Sequence, residues 1–152
     1  MTSKVQPVPA GYQTLIPYFA VADAAGLLGF VKAAFDAAPG EMMRGPGGAI
    51  RHAEARIGNC VLMIGQSSLS RPNTTYMYVP DVDAAYRRAM SAPGAARSLR
   101  EPASEWYGDR SAGLEDAWGN QWWLATHIED VSSEELERRM AAVSQRDPRD
   151  SR

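Results

Sequence analysis

His52, Glu54 and Arg56 alternate along IRHAEARI, residues 50–57, and His52 is one of two histidines in 152 residues. An imidazole beside a carboxylate suits hydrogen bonding or proton transfer near neutral pH, with Glu54 orienting His52. With further ligands the same pair could hold a metal ion, although no third or fourth ligand is evident in the sequence. The spacing equally fits the polar side of a strand, on which Glu54 and Arg56 pair and His52 bonds locally. A second set is aromatic: Trp106, Tyr107, Trp118, Trp122 and Trp123, with Asp109 and Arg110 between them. Trp106 and Tyr107 precede a hairpin in a Gly-containing loop and suit a lid over a planar ligand, whereas Trp122 suits the core. Asp109 and Arg110 are expected to pair and fix that loop, or else to contact ligand. His127 is expected to serve as a capping or interface residue, and Cys60, inside an apolar run, as a small buried filler.

The elements that must position these residues recur. YFAVAD (18–23) and YMYVPD (76–81) align Tyr18 with Tyr76, Val21 with Val79 and Asp23 with Asp81, and each copy is followed by the same succession. TLIPYFAV reads as a strand, and Asp23 caps a helix carrying Leu27, Phe30, Val31 and Ala34 at helical spacing. A short strand near 41–44 and two strands, 50–57 and 60–65, joined at Gly58-Asn59 complete a βαβββ order. In the second half TTYMYV is a strand, 81–92 a helix, 96–100 a short strand, and 110–115 with 121–126 a closing hairpin. Ser132 with Glu135 forms a capping box for a final helix. The expected division is one domain: a module over 12–66, a second over 74–128, a helix over 132–146 and a frayed tail over 147–152.

The Gly58-Asn59 turn sets His52 opposite Gly65, Glu54 opposite Met63 and Arg56 opposite Val61. Ala53, Ala55, Ile57, Cys60, Leu62 and Ile64 then share the opposite, apolar side, where a helix can pack. Pairing Glu115 with Gln121 places Gly113 opposite Trp123.

Composition narrows the function. With 45% hydrophobic and 22% charged residues the chain suits a globular domain, and it has no apolar run of bilayer-spanning length. Its net charge of −2 offers no general attraction to nucleic acid. The amino terminus lacks the parts of a secretory signal, so a cytoplasmic location is expected.

The two modules, the phrases RHAEARIGNCVLMIG and YVPDVDAAYRRAM, and the ending YGDRSAGLEDAWGNQWWLATHIEDVS resemble the vicinal oxygen chelate superfamily, in particular its glyoxalase/bleomycin-resistance group and PhnB-like branch. The resemblance implies an α+β fold in which two βαβββ modules form a curved mixed sheet around a cavity, with a C-terminal helix and a homodimer. It also implies four metal positions, on the first and last strand of each module, which fall at Ile16, Met63, Thr75 and Trp123. None suits a divalent cation, so no metal and no cofactor are expected. The cavity is expected to be apolar and aromatic, with Tyr18 and Met77 beside those four and Arg56, Trp106, Tyr107 and Asp109 also at the ligand. The expected function is metal-independent binding or sequestration of an aromatic or amphipathic natural product, as in antibiotic resistance. The alternative is an isomerase, lyase or cyclase using His52 and Glu54 for proton transfer.

Overall fold

The computed structural model describes residues 5–145, and the tail expected to fray lies outside them. The elements are β1 (Tyr18–Val21), α1 (Ala24–Phe35), β2 (Ala38–Arg44), β3 (Ile50–Ile57), β4 (Cys60–Gln66), β5 (Thr74–Tyr78), α2 (Val82–Ser91), β6 (Ala95–Ser104), β7 (Asp109–Asp116), β8 (Gln121–His127) and α3 (Ser133–Ser144). This is the βαβββ order twice, followed by a helix. Each half forms its own four-stranded mixed sheet, in the orders β1-β4-β3-β2 and β5-β8-β7-β6, with β1–β4 and β5–β8 parallel.

Local chemistry sets the boundaries. The Asp23 carboxylate accepts from Gly26 N at 2.8 Å and Asp81 from Ala84 N at 3.0 Å, so the repeated aspartates start the two equivalent helices. Ser132 caps α3 through Glu135 N. The first strand is shorter than TLIPYFAV suggests. It begins only after Pro17, and the Gln13 side chain occupies the earlier edge of β4, accepting from Val61 N and donating to Val61 O. Strands β2 and β6 are longer than expected and irregular in register, as edge strands often are.

Helix α1 packs on β3 and β4, α2 on β6, β7 and β8, and the two helices touch. The helix-covered faces of both sheets therefore share one core, in which Phe19 of β1 stacks on Trp122 of β8 with centroids 5.1 Å apart. Phe30 and Phe35 of α1 close on the same indole. The fold is α+β as expected, with its strands in two four-stranded mixed sheets joined through this core. The opposite faces, bearing His52 on one sheet and Trp123 on the other, point away from it. No helix among the described residues is long and apolar enough to cross a membrane.

Candidate functional site

The first outward face follows from the hairpin. His52 pairs with Gly65, Glu54 with Met63 and Arg56 with Val61, while Ala53, Ala55, Leu62 and Ile64 are buried in the core. Cys60 departs from expectation: it is exposed at the turn, where the strand has already left the helix. Residues 7–16 pass over this face as a strap. Tyr12 donates its hydroxyl to Glu54 Oε2 at 2.7 Å, and Arg56 Nη2 donates to Gly11 O at 2.7 Å. Hydrogen bonding to Glu54 and burial raise the Tyr12 phenol above its ordinary value, keeping it a donor. Beneath the strap lies a recess of about 530 Å³ whose walls include Val8, Pro9, Ile16, Met63, Tyr12 and Glu54.

This geometry corrects two expectations. Glu54 does not orient His52, because its bonded oxygen takes Tyr12, and it does not pair with Arg56, whose guanidinium is drawn to the strap carbonyl. His52 instead lies near Tyr18, ring centroids 6.0 Å apart.

The second outward face carries Tyr76, paired with Trp123, and Tyr78, paired with Ala125. Thr75 and Met77, expected beside Trp123, point the other way. They pair with Trp122 and Leu124 and, with Phe19, Phe35 and Leu62, line an apolar cavity of about 490 Å³ at the seam between the sheets. Period-two counting was sound, but β5 sits one residue from the anticipated register. Trp123 lies against Gly113, and the Arg100 guanidinium stacks over its ring at 5.3 Å.

A constellation missed at the sequence level stands at the end of this face. Asp109, 4% exposed, accepts from Tyr76 at 3.0 Å, Tyr78 at 2.9 Å and His127 Nδ1 at 2.8 Å. Burial works to raise the Asp109 carboxyl, but hydrogen bonds from His127, Tyr78 and Tyr76 together hold it below its ordinary value. Asp109 and then Asp130 raise the His127 imidazole, whose Nε2 meets Asp130 at 2.9 Å. Burial, with the bond to Asp109, pushes the Tyr76 phenol well above its usual range. Arg110 does not pair with Asp109, since the adjacent residue on a strand faces the other side. It binds Asp83 of α2 through two bonds of 2.7 and 2.8 Å. The signal for this cluster was available, because pairing Glu115 with Gln121 and continuing outward places Asp109 opposite His127. Trp106 and Tyr107 form a T-shaped pair in the preceding turn, and Arg139 of α3 holds that turn through Trp106 O.

No protein-family model matches the chain. An uncharacterised Mycobacterium bovis protein, Mb0911c, is 30% identical over 142 residues, covering 84% of this chain and 92% of that protein. Among solved structures, TioX from Micromonospora sp. ML1 is similar with a TM-score of 0.64 at 18% identity, over 76% of this chain and 99% of TioX. A glyoxalase/bleomycin resistance protein/dioxygenase from Nocardioides gives 0.57 at 13% identity, over 87% and 91%. The PhnB protein of Bacillus cereus gives 0.56 at 16% identity, over 75% and 99%. The chain belongs to the family of the mycobacterial protein and has the vicinal oxygen chelate fold.

The positions expected for a metal, Ile16, Met63, Thr75 and Trp123, do not stand side by side, because the first and last strands of the modules pair Tyr18 with Met63 and Tyr76 with Trp123. Ile16 lies before β1, in the wall of the recess. Two phenols, a thioether and an indole do not fit a divalent cation. Among the described residues no cluster of three or more His, Cys, Asp or Glu is placed to hold a metal ion.

Proposed function

We propose that this protein binds and sequesters an amphipathic small molecule without a metal ion, as a homodimer. The recess under the strap carries the reading: a hollow with mostly apolar walls that nevertheless contains a carboxylate and a phenol. Ile16, Met63, Tyr18 and Arg56 lie on or beside this face. Tyr76, Tyr78 and Trp123 offer aromatic surface on the other. Tyr18, Tyr76 and Tyr78 are 52%, 48% and 64% exposed, so one chain leaves its aromatic faces open, and a second copy is the partner that covers them. Antibiotic sequestration is the concrete form, supported by the bleomycin-resistance designation of the Nocardioides protein. Chelator-treated protein titrated with a panel of aromatic natural products, read by tryptophan fluorescence, is expected to show saturable binding. A requirement for stoichiometric metal, or a flat response across the panel, would defeat the reading.

The alternative of an isomerase, lyase or cyclase keeps one supporting observation, and it has moved. His52 and Glu54 share no hydrogen bond, whereas His127 Nδ1 is held by the buried Asp109 carboxylate, and its Nε2 could act as an acid or base once a ligand displaces the exposed Asp130 from it. A metabolite panel assayed with wild type and His127→Gln tests it: turnover lost in the variant supports proton transfer at His127, and no turnover by wild type removes the alternative.

A further inference from the structure

Glu54 is 8% exposed, and only one of its oxygens is engaged by a described residue: Oε2 takes the Tyr12 hydroxyl, while Oε1 accepts nothing. A buried carboxylate is costly to desolvate unless donors or a cation compensate it. Within the described residues no Lys, Arg or His stands within 4.0 Å of Glu54, nor of Glu41, the second carboxylate on the wall of the recess. Arg56, the nearest candidate along the strand face, is committed to Gly11 O. The recess therefore combines apolar walls, two carboxylates without ion-pair partners and an aromatic ring whose hydroxyl is fixed by one of them. An apolar body with a protonated amine satisfies all three. Its body removes Val8, Pro9, Ile16 and Met63 from water, its ammonium meets Glu54 Oε1, and Tyr12 lends its ring to the cation.

We infer that the recess beneath the strap selects a cationic ligand, a hydrophobic or aromatic amine whose ammonium is bound by Glu54 with Glu41 in support. This rests on the small-molecule-binding reading above and sharpens it to a ligand charge. An anionic ligand would place its charge against two carboxylates, and a neutral one could offer Glu54 Oε1 at most an uncharged donor, which makes the weaker bond.

The test uses two fluorescent probes of nearly the same shape, dansylcadaverine, a primary ammonium at neutral pH, and its uncharged N-acetyl derivative. Emission shift and anisotropy are measured on the full chain at low salt. Wild type is expected to bind the ammonium about tenfold or more tightly than the acetylated probe. Glu54→Gln keeps an oxygen for Tyr12 and is expected to bring the two affinities within about twofold. Glu41→Gln should reduce the preference partway. Equal affinity for the two probes in wild type, or a preference that survives in Glu54→Gln with an unchanged melting temperature, overturns the inference and leaves the binding reading standing. Failure of both probes to bind overturns the inference and counts against that reading as well.

Discussion

The two outward faces are built on one plan and finished differently. Tyr18 and Met63 on the first correspond to Tyr76 and Trp123 on the second, and Glu54 corresponds to Gly113, because each lies opposite the last-strand residue that pairs with the tyrosine of the first strand. Where the second module has glycine, the Trp123 indole settles against the sheet with Arg100 upon it, so the hollow is filled from within. Where the first has glutamate and methionine, the sheet carries a partly bonded carboxylate and a strap with space beneath. The carboxylate of the second face, Asp109, stands at its far end with three donors around it. A saturated carboxylate fixes structure, while an unsaturated one retains capacity for a ligand.

The core common to both faces should give the largest response. Trp122 is 1% exposed, stacks on Phe19 of the other sheet and donates its Nε1 to the buried Asp116 at 2.9 Å. Trp122→Ala is expected to cost about 3–5 kcal/mol in urea unfolding and to loosen both faces together, which amide exchange would report. Exchange that rises in only one module would break the picture of a shared core.

Glycine substitutions separate the faces. A Cβ on Gly113 would lie 2.7 Å from the Trp123 ring, which is held from above by Arg100, so Gly113→Ala should cost about 1–3 kcal/mol and shift the tryptophan emission. The equivalent intrusion at Gly65 meets only the end of the half-exposed Tyr18 side chain, which can swing away. Gly65→Ala should therefore cost less than about 1 kcal/mol, and equal costs would show that the two faces are packed alike.

The two carboxylates separate them again. Asp109→Ala removes the acceptor of three bonds and should cost about 1–3 kcal/mol, whereas Glu54→Gln, which keeps an acceptor for Tyr12, should leave stability nearly unchanged. The pH dependence has a definite sign. The lowered Asp109 carboxyl contributes stability that is complete above the unfolded value of about 3.9 and is lost as pH falls through its folded value. The raised His127 imidazole contributes stability that is complete below about 6.5 and is lost as pH rises through its folded value. Both are complete only between those limits. Urea midpoints measured across them should form a shallow maximum that flattens in Asp109→Asn, and a profile unchanged by that substitution would remove Asp109 from its assigned role.

What could be seen in the sequence followed the range of the interactions. Caps at Asp23, Asp81 and Ser132 act over three residues, and a two-residue turn fixes the β3–β4 register, so both could be reasoned from local chemistry. The DAWGN turn sets the β7–β8 register in the same way, but Asp109 and His127 meet at its outer end, about six residues beyond the Glu115–Gln121 pair. Strand β5 pairs in parallel with a partner more than forty residues away, no turn sets its register, and TTYMYV is apolar or aromatic on both faces. That is why Thr75 and Met77 were placed on the wrong side. The strap was hidden for a related reason: the bonds of Gln13 to Val61 and of Tyr12 to Glu54 join residues distant in sequence, and neither follows a periodicity.

The strap therefore bears the smallest and most particular prediction. Tyr12 is bonded to Glu54 through its hydroxyl alone, and Gln13 and Arg56 hold the same segment independently. Removing the hydroxyl in Tyr12→Phe should leave the sheets, their helices and the global unfolding midpoint in place. Amide exchange over residues 10–16 should speed by roughly tenfold, because a locally opened segment exchanges according to its own few contacts rather than the stability of the core. Exchange over residues 109–127 should not change, since no contact of that face passes through Tyr12. If the strap were merely surface chain laid against the sheet, the substitution would alter nothing in either region. If it were part of the folded core, the midpoint would fall with the exchange. Acceleration confined to the strap is the outcome that distinguishes a wall of the recess from both.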